Sequence, residues 1–485
     1  MKKKLLYWFV LLFLYWSNAQ AQTYKLGLKE VIKIASEQSI QAKLNENILD
    51  NKYYQYNIYK SNLRPSLSLS GNFPQYSKQY APVIQPDGTQ KYLPRYYNTA
   101  ALGLSLYQEI PFTGGSISLF SGLNRFDDFD KKTHQYNSVP VTILINQPLF
   151  AFNPWKWKKK IQPLEYEKAK KQFNEDMADI AVQTTQLFFE VLTAQRDLQR
   201  ESLNLKNNRL IYTIEQKRID LGTTSKEKLL QIRLQVLQSE KEIRRAQLEL
   251  QTAQQNLKTF IGLNTASNIR LMIPTTLPDI KIDSAHALAL AKQRRPEITE
   301  FVLQMLEARR DLDQAKKSRF QVDITVSYGL NNAATSFPGA YHDLKDQQVA
   351  NIGFNIPLFD WGRRKYQVET PIANKKVVQF TIDKEKLAFK QEVRTALANF
   401  NLLRNSIPIV RETDSIALER YQLALQQYQI GKLSITDLNI ALSEKDNASN
   451  DYLQILKKFW SAYYLLRKLT LFDFEKKKAM VNEKR

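Results

Sequence analysis

The chain has 485 residues, and its 70 Lys and Arg against 48 Asp and Glu give a net charge of +22, with no cysteine. That length suits two or three compact domains, and the missing cysteine excludes disulfides, thiolate metal sites and a lipidated N-terminal cysteine together. The positive charge does not make nucleic acid a partner, because the basic residues are spread along periodic segments among acidic neighbours, behind an export leader.

Residues 1–21 read as that leader. Lys2-Lys3-Lys4 precedes an apolar run from Leu5 to Trp16, and Ala19-Gln20-Ala21 supplies a small-residue cleavage site, so the mature chain is expected to begin near Gln22. A retained signal anchor is the other reading, but the run is short for a membrane span. No other stretch is apolar for about 18 residues, so no transmembrane helix is expected afterwards.

Six segments alternate with period two, the mark of strands with one apolar and one polar face. In the first half Leu67, Leu69 and Phe73 alternate with Ser66, Ser68, Ser70 and Asn72. Leu102 to Leu106, Ile117 to Leu123 and Val141 to Ile145 repeat the pattern, and Val322 to Leu330 and Ala350 to Ile356 follow in the second half. Long polar loops are expected at Pro74 to Asn98, Asn124 to Asn137 and Asn331 to Gln348. The run Asp127-Asp128-Phe129-Asp130 matches no ion-loop spacing and reads as a solvated loop. From the strands alone, a soluble sheet with one wet face stands equal to a lipid-facing barrel, and the leader and loops favour the barrel.

Helical segments form the second class. Leu229, Ile232, Val236, Ser239, Ile243 and Ala246 step by three and four, a heptad seam with one polar member. Phe173 to Leu198 carries a matching seam, and Leu438 to Leu466 a less regular one. Glu165 to Leu221 as one helix would span roughly 85 Å at about 1.5 Å per residue. Such lengths imply a projecting coiled coil, with Gly222 and Gly431 ending helices at the far tips. Pro408, opposite Gln199 in the other half, is expected to break or kink its helix.

Pro148-Leu149-Phe150 and Pro357-Leu358-Phe359 lie 209 positions apart, and so do Gly222 and Gly431. The chain is therefore a duplication: repeat 1 over 22–272, repeat 2 over 273–473, and a basic tail over 474–485 expected to be disordered from Lys476. Six strands cannot close a membrane barrel alone, and an open edge is not viable in lipid. Several chains must then share one barrel, with their hairpins around a common axis.

These residues resemble the TolC-type outer membrane efflux proteins over about Leu26 to Phe472. The matches are the opening Leu26-Gly27-Leu28-Lys29-Glu30, the step Arg295-Pro296-Glu297-Ile298, the two Pro-Leu-Phe corners and the tip Gly431-Lys432-Leu433-Ser434. The resemblance implies an α+β membrane protein, a homotrimer whose twelve-stranded outer-membrane β-barrel, four strands per chain, continues into a periplasmic α-helical barrel. It implies a passive exit duct for efflux or type I secretion, docking a periplasmic adaptor and an inner-membrane pump. The four alternating segments of the first half, where the family pattern has two, depart from it: either the barrel has more strands or a hairpin extends beyond the membrane.

Nothing in the sequence suggests an enzyme, a cofactor or a metal site: His134, His286 and His342 are scattered, and no phosphate loop or nucleophile elbow occurs. Gly222, Thr223, Thr224 and Ser225, with Gly431, Lys432, Leu433 and Ser434, are by resemblance the adaptor-docking tips. Asp437 is by the same resemblance a candidate acidic ring at the pore constriction; a charge favoured at a helix N-terminus is the alternative. Trp155, Trp157 and Trp361, beside Lys and Arg, read as membrane-interface anchors or as core tryptophans next to a solvated loop. The rival function is a periplasmic coiled-coil scaffold or adaptor-like binding protein with soluble β parts.

Overall fold

The computed structural model describes residues 23–263, 268–278, 280–318 and 321–480; the expected leader and the last five residues of the tail lie outside them. The first half runs β1 (Thr23–Leu26), α1 (Leu28–Gln38), α2 (Ile40–Ser61), β2 (Ser66–Ile84), β3 (Gln90–Ile110), β4 (Gly115–Asp128), β5 (Thr133–Leu149), α3 (Pro154–Asp220) and α4 (Lys226–Ile261). The second half runs β6 (Asn268–Leu271), α5 (Ser284–Arg294), α6 (Pro296–Lys317), β7 (Gln321–Ala334), β8 (Lys345–Asn355), α7 (Arg363–Gln429), α8 (Ile435–Thr470), β9 (Phe472–Asp473) and β10 (Lys478–Ala479). The duplication is visible in the lengths: α3 and α7 have 67 residues each, α4 and α8 have 36 each. At about 1.5 Å per residue the longer pair reach roughly 100 Å.

The chain forms two compact units that do not follow the repeats. One draws on Met1–Leu49, Lys170–Ile298 and Lys386–Arg485, the other on Asp50–Ala169 and Thr299–Glu385, so each takes equivalent parts of both halves.

In the first unit the heptad seams become the core. Ile232, Ser239 and Ala246 are buried along α4, and Phe173, Ile180 and Val191 along α3. The polar seam member is satisfied, because Asn208 donates from Nδ2 to Ser239 Oγ at 2.8 Å. Phe188, Phe189, Phe400, Phe459, Trp460 and Tyr463 are the largest fully buried side chains, and each large apolar side chain buried contributes about 2–3 kcal/mol. Pro408 does not break α7, whose helix is continuous from Arg363 to Gln429. Leu403 and Ile407 beside it are buried in the core, and their packing offsets the ~3 kcal/mol a mid-helix proline costs. The tail also departs from expectation. β9 and β10 pair as a small hairpin, Phe474 between them is buried, and Arg467 Nη2 meets Asp473 Oδ2 at 2.9 Å.

The second unit holds one six-stranded antiparallel sheet in the order β2-β3-β4-β5-β7-β8. All six alternating segments lie in its strands, save Ile356 one residue past the end of β8, but the expected loops are shorter. β2 continues to Ile84 and β3 starts at Gln90, with Tyr80 opposite Pro94 and Pro82 opposite Tyr92. Pro82 is on a sheet edge and Pro94 lies past the last β3–β4 pair, Tyr97 with Asp128, where a missing N–H costs least. The loop at 124–137 likewise shrinks to four residues, and that at 331–348 to 335–344. Paired residues share a face, so the register sets Leu67, Leu106, Leu119, Ile143 and Tyr328 in one row across five strands. The matching row of the opposite face carries Ser68, Ser105, Phe120, Thr142 and Gly329, polar or small but for the phenylalanine. All five members of the apolar row are exposed, a contiguous apolar strip of the kind that marks a contact with lipid or a partner.

Arg295 supplies the sharpest electrostatic test of the first unit. It is buried, pairs with Glu392 at 2.8 Å, Glu175 at 3.2 Å and Glu297, and lies 5.3 Å from the Phe389 ring centre. Burial raises the Glu175 carboxyl to about 6 in spite of Arg295. A raised folded-state pKa adds stability below the ordinary carboxylate value that is lost as pH rises through about 6. Glu175→Gln is therefore expected to raise the thermal midpoint of the helical signal at pH 7–8, by up to about 2 kcal/mol of stability, and to leave it unchanged near pH 4.

Candidate functional site at the helical tips

Two turns of the first unit carry the expected tip residues. α3 ends at Asp220, and Gly222 takes φ +71° while its N–H bonds the Ile219 carbonyl at 2.8 Å. α7 ends at Gln429, and Gly431 takes φ +76° with its N–H on the Tyr428 carbonyl at 3.0 Å. The space around both glycines is open, so positive φ and not crowding calls for glycine. Thr223 donates its hydroxyl to the Arg218 carbonyl at 3.0 Å. Lys432 and Leu433 complete the second turn, where the Lys432 N–H reaches the Gln427 carbonyl at 2.9 Å.

Each turn hands over to a helix through a serine cap. Ser225 Oγ accepts from Lys228 N at 3.3 Å and Ser434 Oγ from Asp437 N at 3.2 Å. Ser434 also donates to Asp437 Oδ2 at 2.6 Å. Asp437 thus serves as an acidic residue in the first turn of α8, where the helix dipole favours it. It remains exposed, on a groove of about 390 Å³ that Arg420, Leu423, Gln427 and Leu433 also line. The corresponding residue of α4 is Lys228, so the two tips carry opposite charges at one repeat position.

The two tips are joined by a polar cluster that the sequence reading missed. Glu215 of α3 is buried, and its Oε1 accepts from Tyr428 Oη of α7 at 2.8 Å and from Arg218 Nη1 at 2.6 Å. The Arg218 guanidinium lies 5.4 Å from the Tyr428 ring centre. Ile211, Ile232, Tyr421 and Leu438 pack beside Tyr428 as a small core. Burial raises the Glu215 carboxyl, but hydrogen bonds from Tyr428, Thr224 and Arg218 outweigh it, and the net shift is downward. Burial and then the Glu215 carboxylate push the Tyr428 phenol upward, so it stays a donor at neutral pH. The available cue was the seam. Counting in sevens from Ala194 gives Glu201, Asn208 and Glu215, polar residues on a face that packs.

The proposed anchors divide. Trp155 and Trp157 are each only 9% exposed. Trp157 packs with Ile161, Leu303, Leu306 and Phe152, and its Nε1 donates to Asp313 Oδ2 at 2.9 Å. Both are buried as the core-tryptophan reading expects, because the first turn of α3 faces them inward, and Trp157 has a half-buried acceptor in Asp313. Trp361 is 88% exposed at φ +54°, beside Phe359 at 4.6 Å between ring centres. The carboxylates of the Asp127–Asp130 run are engaged within the sheet end. Asp127 pairs with Arg125 at 2.8 Å, Asp128 accepts from Lys131 N at 3.0 Å, and Asp130 from Tyr96 N at 2.9 Å. Among the described residues no group of three His, Cys, Asp or Glu side chains is placed to hold a metal.

The polar cluster is expected to set local stability at the tips. Tyr428→Phe leaves the buried carboxylate one donor short, a loss of about 1–3 kcal/mol. Amide hydrogen exchange at 211–220 and 421–430 should accelerate roughly tenfold or more, while exchange in the core around Phe400 and Trp460 stays at the wild-type rate.

Comparison with known proteins adds the family. A family model described as outer membrane efflux protein matches residues 47–263 and 287–470, well over half of the chain. The fold is similar to the Campylobacter jejuni CmeC outer membrane channel, with TM-score 0.67 at 16% identity over 94% of this chain and 87% of that one. It is similar to the Vibrio cholerae outer membrane protein VceC, with TM-score 0.61 at 14% identity over 91% and 95%. The open-state Neisseria gonorrhoeae MtrE outer membrane channel gives TM-score 0.61 at 15% identity over 91% and 88%. No curated protein matches by sequence.

Proposed function

Because the chain belongs to the outer membrane efflux protein family, we propose that it works as a homotrimeric exit duct, a shared β-barrel in the outer membrane continued by a periplasmic barrel of the long helices. The protein is an outer membrane channel of an efflux system in a Gram-negative type envelope. In this reading a periplasmic adaptor seats on the tips around Gly222 and Gly431, an inner-membrane pump supplies the energy, and the chain conducts passively. Lipid contacts the apolar row of the sheet.

The observation that carries this reading is the exposed apolar face of the six-stranded sheet, set against a face mostly of Ser, Thr and Gly that includes Phe120 and Leu144. That alternation suits lipid on one side and a wet lumen on the other. Among the described residues no helix is long and apolar enough to cross a membrane. Trp361, exposed beside Phe359, is retained as an interface anchor. Asp437, exposed on the groove between α7 and α8, is retained as the constriction residue, its side chain held by Ser434.

Reconstitution tests both levels. The purified chain should pellet with outer membrane and give discrete conductance steps in planar bilayers. Recovery in the soluble periplasm with silent bilayers would instead identify a coiled-coil scaffold or adaptor-like binding protein. Asp437→Ala should weaken divalent-cation block several-fold; unchanged conductance and block would remove Asp437 from the pore.

A further inference from the structure

The two halves match at two different offsets. α1 and α5 start at 28 and 284, and α2 and α6 at 40 and 296, so both pairs are 256 apart. α3 and α7 start at 154 and 363, and α4 and α8 at 226 and 435, so both pairs are 209 apart. The first half therefore holds 47 more residues, 256 less 209, between α2 and α3. The strands identify them. Moved by 209, β4 and β5 would start at 324 and 342, beside the observed starts of β7 at 321 and β8 at 345. β2 and β3 have no counterpart, so the gained segment is one whole β-hairpin.

We propose that this hairpin is an added pair of barrel-wall strands and that β8 of a second copy closes on its outer edge, so that three copies build a wall of eighteen strands rather than twelve. The inference rests on the trimeric channel reading above. Four observations support it. First, β2 and β3 have 19 and 21 residues, and a spanning strand needs about 9–11. Second, β3 is paired to β4 from Ile110 with Gly115 to Tyr97 with Asp128, which makes the hairpin continuous with the sheet.

Third, the hairpin has the two faces that a wall requires. Leu67, Leu69, Leu104 and Leu106 continue the apolar side, and Ser68 and Ser105 the polar side, their hydroxyls 2.7 Å apart. A hairpin built to stand in water on both faces would have no use for a leucine row. Fourth, the polarity closes. Every neighbouring pair in the six-strand order is antiparallel, so an even count leaves β8 antiparallel to the β2 of the next copy. Both edges carry exposed apolar residues on the same face, Leu69 at 69% and Ile352 at 65%. Barrel diameter grows about linearly with strand number, so the mouth widens by about half while each chain still supplies four long helices.

The absence of cysteine makes the test clean. Leu69→Cys is combined in turn with Ala350→Cys, Ile352→Cys and Phe354→Cys in the full chain, and oxidised in isolated outer membranes. We expect covalent trimers from at least one of these pairs, and none from Ile117→Cys with the same three. If Ile117→Cys is the position that crosslinks, β4 is the edge, the hairpin lies outside the wall and the inference fails while the channel reading stands. If neither position links copies and the protein is soluble, both fail. A chain lacking 65–111, which joins α2 to β4 as α6 joins β7, should gain the Ile117→Cys crosslink that the full chain lacks.

Discussion

Backbone hydrogen bonding at the edges of the six-stranded sheet is the constraint from which the rest follows. β2 and β8 end the strand order, and each presents a row of N–H and C=O groups along one side. In water such an edge is solvated. In hydrocarbon each unsatisfied group costs several kcal/mol, so even the 11 residues of β8 would cost more than the whole stability of a typical domain. The apolar face of the sheet favours lipid and the open edges forbid it, unless another strand takes each edge. In the proposed trimeric channel, assembly and membrane insertion are thereby one event in energetic terms.

Duplication provides the other half of the design. Helices of 67 and 36 residues in both repeats bring the ends of α3 and α7 together, as the Glu215–Tyr428 hydrogen bond records. The repeats are free to differ where they meet. Glu215 corresponds to Ala424, Tyr428 to Ile219, and Asp437 to Lys228. A backbone plan that is equal in both halves therefore carries side chains that are not, and the contact between tips is specific to one pairing of hairpins. The same freedom appears at the other insertion-tolerant place, between α2 and the strands, where one half holds a hairpin more.

Much of this could be read from the residues. Period-two runs located all six strands, and the three–four steps of Ile232, Ser239 and Ala246 located a face that is buried. Positive φ at Gly222 and Gly431 was legible because no other residue type adopts it so readily. Three things were hidden, each for a physical reason. Strand ends past Phe73 carry prolines and tyrosines whose pairing depends on a partner strand, so Pro82 and Pro94 read as loop. The orientation of Trp157 depends on Asp313, which is 156 residues away. The partner of Glu215 lies 213 residues away, and a polar residue on a packed face announces that a partner exists without naming it.

The chemistry of that partner bears on how the tips can move. An apolar contact between α3 and α7 would lose about 25 cal/mol for every Å² exposed on separation, with no favourable term in return. Glu215, Arg218 and Tyr428 are different, because water solvates each of them well once they part, and the net loss per hydrogen bond is about 1–3 kcal/mol for one with a charged partner. The cluster is directional, so it fixes one arrangement while closed. It is also acid-sensitive: the lowered Glu215 pKa contributes stability above the ordinary carboxylate range that disappears as pH falls through the folded value. The small apolar group of Ile211, Ile232 and Leu438 beside it holds position without specifying it. Contacts built this way hold the end of α3 against α7 by a few kcal/mol.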